Sequence, residues 1–280
     1  MKVTLLLVSI LLFYINNAHS AESAARCPTK YPIDDQTMSL MKRHNVIVVG
    51  ELHGTRESPE FFLEVACNIG RFGGEQTLVG LELGDSEVST ARDAGRKTDA
   101  SEILKVLQGS KFWTNALDGK TSESYFQLIH DIDKLTGGSF ALVGFDRRVT
   151  GMESFGETSA DFLTKYAQGL QAEGGSKKAV KIILLTGNAH LAQDDQNNSI
   201  VNSLSKKGFA VLPIDLVPAG GAAWNCVDGK CGVHQVRNSC ASPEHTTNAK
   251  EFQEKRGILS YCVGNVSASL PEMGILSSAR

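Results

Sequence analysis

The feature that most constrains the fold of this chain is an uninterrupted run of β-branched, apolar residues. Residues 46–49 (VIVV) form such a run and end at Gly50. Continuous apolar runs are typical of parallel strands that are covered by helices on both faces. Further strand-like segments follow at residues 77–83, 140–145, 181–186 and 209–216. The last contains Pro213, which suits the edge of a sheet.

Helical segments separate most of these strands. Ser58 and Pro59 suit the N-cap and first turn of a helix, which continues with apolar residues at helical spacing and is expected to stop at Gly70. Residues 162–170 and 200–204 show the same spacing. Alternating strands and helices predict an α/β fold, a mostly parallel sheet flanked by helices.

Two segments depart from this alternation. Residues 84–138 separate the second and third strands by far more than a usual connection, and their apolar spacing predicts a helical insertion. Residues 218–280 are rich in glycine and cysteine and predict a disulfide-stapled C-terminal extension of short strands and loops. The α/β domain is therefore assigned to residues 21–217.

The cysteines predict disulfide bonds. An even number of cysteines in an exported chain favours disulfides over free thiols, and this chain has six. Other connectivities stay open, because six cysteines allow fifteen. We expect the pairs Cys226–Cys231, Cys240–Cys262 and Cys27–Cys67.

The first residues predict export. Lys2, the apolar residues 3–15 and the small-residue cleavage site ending at Ser20 are typical of a secretory signal peptide over residues 1–20. The apolar part is shorter than the roughly 20 residues of a membrane span, so we expect a secreted or periplasmic protein without a stable membrane anchor. The formal net charge of −3 gives no indication of a nucleic-acid partner.

Ionisable side chains follow the predicted strands where each strand ends. In an open parallel sheet, ligands bind outside the carboxyl ends of the strands. The sequence therefore predicts one polar edge at which several strand ends converge. Its members, in chain order, are Glu51 and His53, Glu82, Asp146 with Arg147 and Arg148, His190, and Asp215.

Two GxxH motifs, residues 50–53 (GELH) and 187–190 (GNAH), each follow a predicted strand. Glycine allows a sharp turn there, so that the histidine can face back over the sheet edge. Two histidines and a carboxylate form a known set of ligands for divalent metals. We expect His53, Glu82 and His190 to bind Mn, Co or Zn, which would activate water.

The remaining groups have roles in this interpretation. Glu51 or Asp146 would be the general base, and Arg147 or Arg148 would stabilise a developing oxyanion. A mechanism without metal uses the same residues, with His53 as the general base on water, oriented by Glu51 or Glu82. Both mechanisms stay open at this point.

The segments GELHGTRESP, VGLEL and LLTGNAHL resemble the haem-uptake/Tiki superfamily, which includes ChaN-like, TraB-like and erythromycin-esterase-like proteins. The resemblance spans roughly residues 46–217. Tiki-type members imply metal-dependent peptide hydrolysis at His53, His190 and Glu82. Esterase-like members imply water activation by His53 with Glu51, although the motif here is one residue shorter. The ChaN-like branch implies haem binding instead.

We therefore expect a hydrolase that cleaves a peptide, an ester or another small-molecule substrate. A haem- or iron-binding uptake protein and a catalytically silent secreted binding protein are the alternatives.

Overall fold

The computed structural model describes nine stretches of the chain: residues 27–73, 76–115, 118–135, 140–147, 154–173, 180–192, 198–227, 229–240 and 257–272. The predicted signal peptide and Arg148 lie outside the described residues.

Apart from a run of helices between the second and third strands, helices and strands alternate from Asp35 to Val227. The helices are α1 (Asp35–Arg43), α2 (Glu57–Gly73), α3 (Asp85–Gly95), α4 (Ala100–Gln108), α5 (Lys111–Asn115), α6 (Glu123–Leu135), α7 (Phe155–Glu173) and α8 (Ile200–Lys206). The strands are β1 (Val46–Glu51), β2 (Thr77–Leu81), β3 (Phe140–Gly144), β4 (Lys181–Gly187), β5 (Val211–Val227), β6 (Lys230–Val236) and β7 (Leu259–Val266).

All these strands belong to one sheet. Its order is β3-β2-β4-β1-β5-β6, and β7 also pairs with β5. Only the β5–β6 pair is antiparallel among the described pairs. The predicted fold class, a mostly parallel sheet flanked by helices, is confirmed.

Hydrophobic layers cover both faces of the sheet. In β1, Ile47 and Val49 belong to the layer that includes α2 and the helices of the insertion. Val46 and Val48 belong to the opposite layer, which includes α7 and α8. Because every residue of β1 is buried, its sequence shows no polar alternation.

The helical insertion is confirmed, and it contains α3 to α6. The predicted disulfides Cys27–Cys67, Cys226–Cys231 and Cys240–Cys262 are all present. The C-terminal strands β6 and β7 join the same sheet as the α/β core, and β5 runs through the assigned boundary after residue 217.

The structure shows what Gly70 and Pro213 do in the fold. Helix α2 continues past Gly70 to Gly73. A Cβ atom at Gly70 would lie 2.0 Å from the Phe140 ring, so this glycine allows close packing against β3 and does not end the helix. Pro213 pairs with Val48 of β1, and among the described residues β7 joins β5 only from Ile214 onward. The proline thus lies where β5 has a single described neighbour.

In the described part of the chain, no helix is long and apolar enough to cross a membrane. Disulfides form and persist in oxidising compartments, so the three observed here are compatible with a secreted or periplasmic protein.

Candidate active site

Three neighbouring strands, β2, β4 and β1, end at the candidate site. β1 pairs with β4 as far as Glu51, which lies opposite Gly187. β2 ends at Leu81, and the next N–H group, that of Glu82, donates to the Leu185 carbonyl of β4 at 3.1 Å. The sheet order therefore holds Glu51 and Glu82 on either side of the end of β4.

Glu51 and His53 form a hydrogen-bonded pair. His53 Nδ1 lies 2.8 Å from Glu51 Oε1, which also accepts a 2.6 Å hydrogen bond from the Tyr125 hydroxyl. Burial alone would lower the pKa of His53, but the contact with Glu51 and the charge of Glu82 outweigh it and raise that pKa above 6.5. Burial and the same carboxylate raise the pKa of Tyr125 well above its usual value, so its hydroxyl remains a donor.

Glu82 is a buried carboxylate surrounded by donors. Its Oε2 accepts hydrogen bonds of 2.7 Å from both Thr186 Oγ1 and the Gly187 N–H group. Its Oε1 lies 3.2 Å from Lys120 Nζ. Burial would raise the pKa of this carboxyl, but His190, Lys120 and His53 together hold it well below its usual range. Glu82 is therefore ionised at neutral pH.

His190 lies in a short 3₁₀ helix that directly follows β4. Its Nε2 lies 3.6 Å from Glu82 Oε1, and its Nδ1 lies 3.1 Å from the Asn198 carbonyl oxygen. The imidazole packs against the Phe155 ring, with 4.0 Å between ring centroids. Both ring nitrogens thus face oxygen atoms, while an aromatic ring fixes the plane.

The histidines form the accessible part of the site. The side chains of His53 and His190 are 21% and 17% exposed, whereas that of Glu82 is 2% exposed. His53 Nε2 lies 3.9 Å from Glu82 Oε2, which is longer than a direct hydrogen bond. A substrate would therefore meet two imidazoles first, above two buried carboxylates.

The backbone of Asp146 and Asp215 lies beside this site, where Asp215 pairs with Gly50 of β1. The Asp146 N–H group donates to the Leu83 carbonyl, and the Arg147 guanidinium lies over the Phe162 ring at 3.7 Å from its centroid. Asp215 is not at a strand end, because β5 continues to Val227. The catalytic roles expected of Asp146 and Arg147 remain predictions.

The insertion contributes two residues that the sequence analysis did not place at the site, Lys120 and Tyr125. Tyr125 lies on the apolar face of α6 with Leu128, Ile129 and Ile132, so its position predicts a core residue. Lys120 follows an Asp-Gly turn, whose Gly119 has a positive φ of 91° and packs against the backbone of Gly54. A turn dipeptide followed by a cation is common on protein surfaces, so only the fold shows that this one reaches the sheet edge.

The arrangement of the predicted metal ligands does not fit a divalent metal. No three described His, Cys, Asp or Glu side chains are grouped so that they could hold an ion. The carboxylate that would contribute to such a group, Glu82, already faces the Lys120 ammonium with one oxygen and two hydrogen-bond donors with the other. Divalent metal binding by His53, Glu82 and His190 therefore remains a prediction that this geometry does not favour.

No protein-family model and no curated protein matches this chain. Among solved structures it is similar to ChaN of Campylobacter jejuni, which is described with cofacial haem binding (13% identity, TM-score 0.39, 73% of this chain and 92% of that chain covered). It is also similar to an erythromycin esterase mutant in its open conformation (11% identity, TM-score 0.43, 81% of this chain and 85% of that chain covered). A third similar structure is that of a protein from Bacillus cereus (9% identity, TM-score 0.49, 87% of this chain and 95% of that chain covered). These are likenesses of fold alone.

Proposed function

We propose that this chain is a hydrolase in which His53, oriented by Glu51, activates a water molecule for attack on the carbonyl carbon of an ester or a peptide bond. The observation that supports this most is the 2.8 Å contact between His53 Nδ1 and Glu51 Oε1. With its Nδ1 proton donated to Glu51, the ring keeps the lone pair of Nε2 for a water molecule. A carboxylate that orients a histidine in this way is a recurring element of general-base catalysis.

The reaction balances with the residues present. His53 Nε2 takes one proton from water as the water oxygen bonds to the carbonyl carbon. Collapse of the tetrahedral intermediate breaks the bond to the alcohol or amine, which receives the proton back from His53. The imidazolium that forms in between lies next to the buried Glu51 carboxylate and faces Glu82, and both stabilise it.

The hydrolase hypothesis is tested by comparing the wild-type protein with Glu51→Gln and His53→Ala on a panel of ester and peptide substrates. His234→Ala is a matched control, because that histidine lies in the β5–β6 hairpin and contacts the Lys230 carbonyl. Loss of activity in the two site variants and not in the control supports the proposal. Equal activity in all variants contradicts it, and a Soret band on addition of haem would indicate a haem-binding protein instead.

Gly187 leaves the space beside His53 open, which gives a steric prediction. A Cβ atom at this position would lie 3.1 Å from His53 Nε2 and 3.6 Å from Glu82 Oε2. Its φ of −59° is allowed for any residue, so alanine should fold normally. We expect Gly187→Ala to reduce kcat/KM about tenfold or more, by displacing the water from His53, an effect on the scale reported for small misplacements of reacting groups.

Steady-state kinetics and thermal unfolding measure the two effects separately. Gly169→Ala is the control, because nothing lies within 4 Å of a Cβ atom at that helical position. It should leave kcat/KM unchanged. An active Gly187→Ala protein would mean that water does not bind at His53 Nε2.

The raised pKa of His53 predicts the pH dependence. A general base must be unprotonated, so kcat/KM should rise with pH through a midpoint above 6.5 and then level off. Glu51→Gln removes the negative charge that helps to raise this pKa, and the midpoint should move to lower pH. A pH–rate profile of both proteins measures it. A midpoint that does not respond to Glu51→Gln would assign the titration to another group.

A further inference from the structure

Lys120 is a buried cation held between two carboxylates. Its side chain is 8% exposed, and its Nζ lies 3.2 Å from Glu82 Oε1 and 3.3 Å from Asp118 Oδ2. The preceding residue, Gly119, is packed against the backbone of Gly54, one residue after His53. The lysine is thus positioned by close backbone contact between the insertion and the GELH loop.

The Lys120 ammonium contacts Glu82 Oε1, the oxygen that a metal would need. Glu82 Oε2 already accepts hydrogen bonds from Thr186 and Gly187, which leaves Oε1 as the oxygen turned toward Lys120 and His190. Zinc binds carboxylate oxygens at about 2.0–2.2 Å, so an ion shared by Glu82 and His190 would lie within a few ångströms of Nζ. Like charges at that distance in a poorly solvated site repel strongly.

We propose that Lys120 is the resident cation of this site and takes the place of the divalent metal that the two GxxH motifs would otherwise bind. It balances the charge of Glu82 and holds this carboxylate between the two histidines, and so acts as a positioning residue. The part of this inference that concerns catalysis rests on the proposed function. The exclusion of metal does not, and it can be measured without a substrate.

The experiment compares metal binding by chelator-treated proteins, using titration calorimetry and elemental analysis with Zn²⁺ and Mn²⁺. We expect wild type, Lys120→Arg and the control Lys134→Met to bind far less than one equivalent. Lys134 is an exposed lysine of the same insertion that contacts Asp131. Lys120→Met, which keeps the side-chain length but not the charge, should bind about one equivalent at least tenfold more tightly, and the addition of His190→Ala should abolish this gain.

The inference is overturned if wild type binds one equivalent that His190→Ala removes, or if folded Lys120→Met binds no more metal than wild type. Should Lys120→Met fail to fold, Lys120→Gln replaces it, because its amide can still donate to Glu82 Oε1. With an active protein, Lys120→Arg should retain more of the wild-type kcat than Lys120→Met, since charge and not only packing is required. Activity that is independent of His53 would contradict the hydrolase proposal while leaving the metal result intact.

Discussion

Replacing His53 with alanine is expected to reduce kcat/KM by a factor of about 10²–10⁴, which is the usual contribution of a positioned general base. The physical reason is that His53 is the accessible imidazole whose second nitrogen is hydrogen-bonded to a buried carboxylate. His190 differs in its partner, because its Nδ1 contacts a backbone carbonyl and not a carboxylate. The measurement is initial-rate kinetics on the best ester or peptide substrate.

The comparison between His53→Ala and Glu51→Gln separates the chemical role from the orienting role. Glu51→Gln keeps the shape of the side chain but removes its charge, so it should lower kcat less than His53→Ala does. The double variant should be no worse than His53→Ala alone, since Glu51 acts through His53. Additive losses would show that Glu51 has a separate function. Circular dichroism spectra establish that each variant is folded.

Replacing Glu82 with glutamine is expected to lower the free energy of unfolding by about 3–5 kcal/mol, the usual cost of removing one partner from a buried ion pair. Lys120 would lose the buried Glu82 carboxylate, and the Asp118 carboxylate that it also contacts is 46% exposed. The hydrogen bonds from Thr186 and Gly187 are lost if the amide nitrogen of glutamine takes the place of Oε2, because that nitrogen cannot accept a hydrogen bond. Urea unfolding with the disulfides intact measures the difference.

Asp118→Asn is the matched control for Glu82→Gln. It removes the other carboxylate that contacts Lys120, but from an exposed position, where an ion pair contributes at most about 1 kcal/mol. If the Glu82→Gln protein is as stable as Asp118→Asn, the buried Glu82–Lys120 pair does not make the expected contribution to the free energy of unfolding.

Glu82 should also make the stability of this protein depend on pH in the acid range. Its pKa in the folded protein is well below the usual value, so it contributes stability above the unfolded-state pKa of about 4.3. This contribution is lost as the pH falls through that value toward the folded-state pKa. Glu82→Gln should therefore remove part of the acid sensitivity of unfolding.

Much of the fold follows from local patterns. The apolar runs of β1 and β4 predict buried parallel strands because side chains on both faces pack against helices. Element ends are less well predicted, as Gly70 illustrates, because a glycine can be required by a neighbouring ring as well as by a helix end. The turn bounded by Cys226 and Cys231 indicates its own disulfide, because its spacing closes a hairpin.

The candidate site also has a part that local sequence predicts and a part that depends on the sheet order. Glu51, His53, Glu82 and His190 could be identified from the sequence because each follows a strand, and the ends of parallel strands share one edge. Asp146 follows a strand too, and its N–H group donates to the carbonyl of Leu83, next to Glu82. Which strand ends touch depends on the sheet order, and in this sheet β4 lies between β2 and β1.

The pair of GxxH motifs and the alternation of strands and helices are properties of short segments, and the sequence was sufficient to recognise them. Lys120 and Tyr125 are different, because they are distant in sequence from the glutamates they contact and belong to an insertion whose described elements are helices. Tyr125 reaches Glu51, and Lys120 reaches Glu82, only through packing of the insertion against the sheet edge. Which charged groups meet at the candidate site was therefore decided by the tertiary structure.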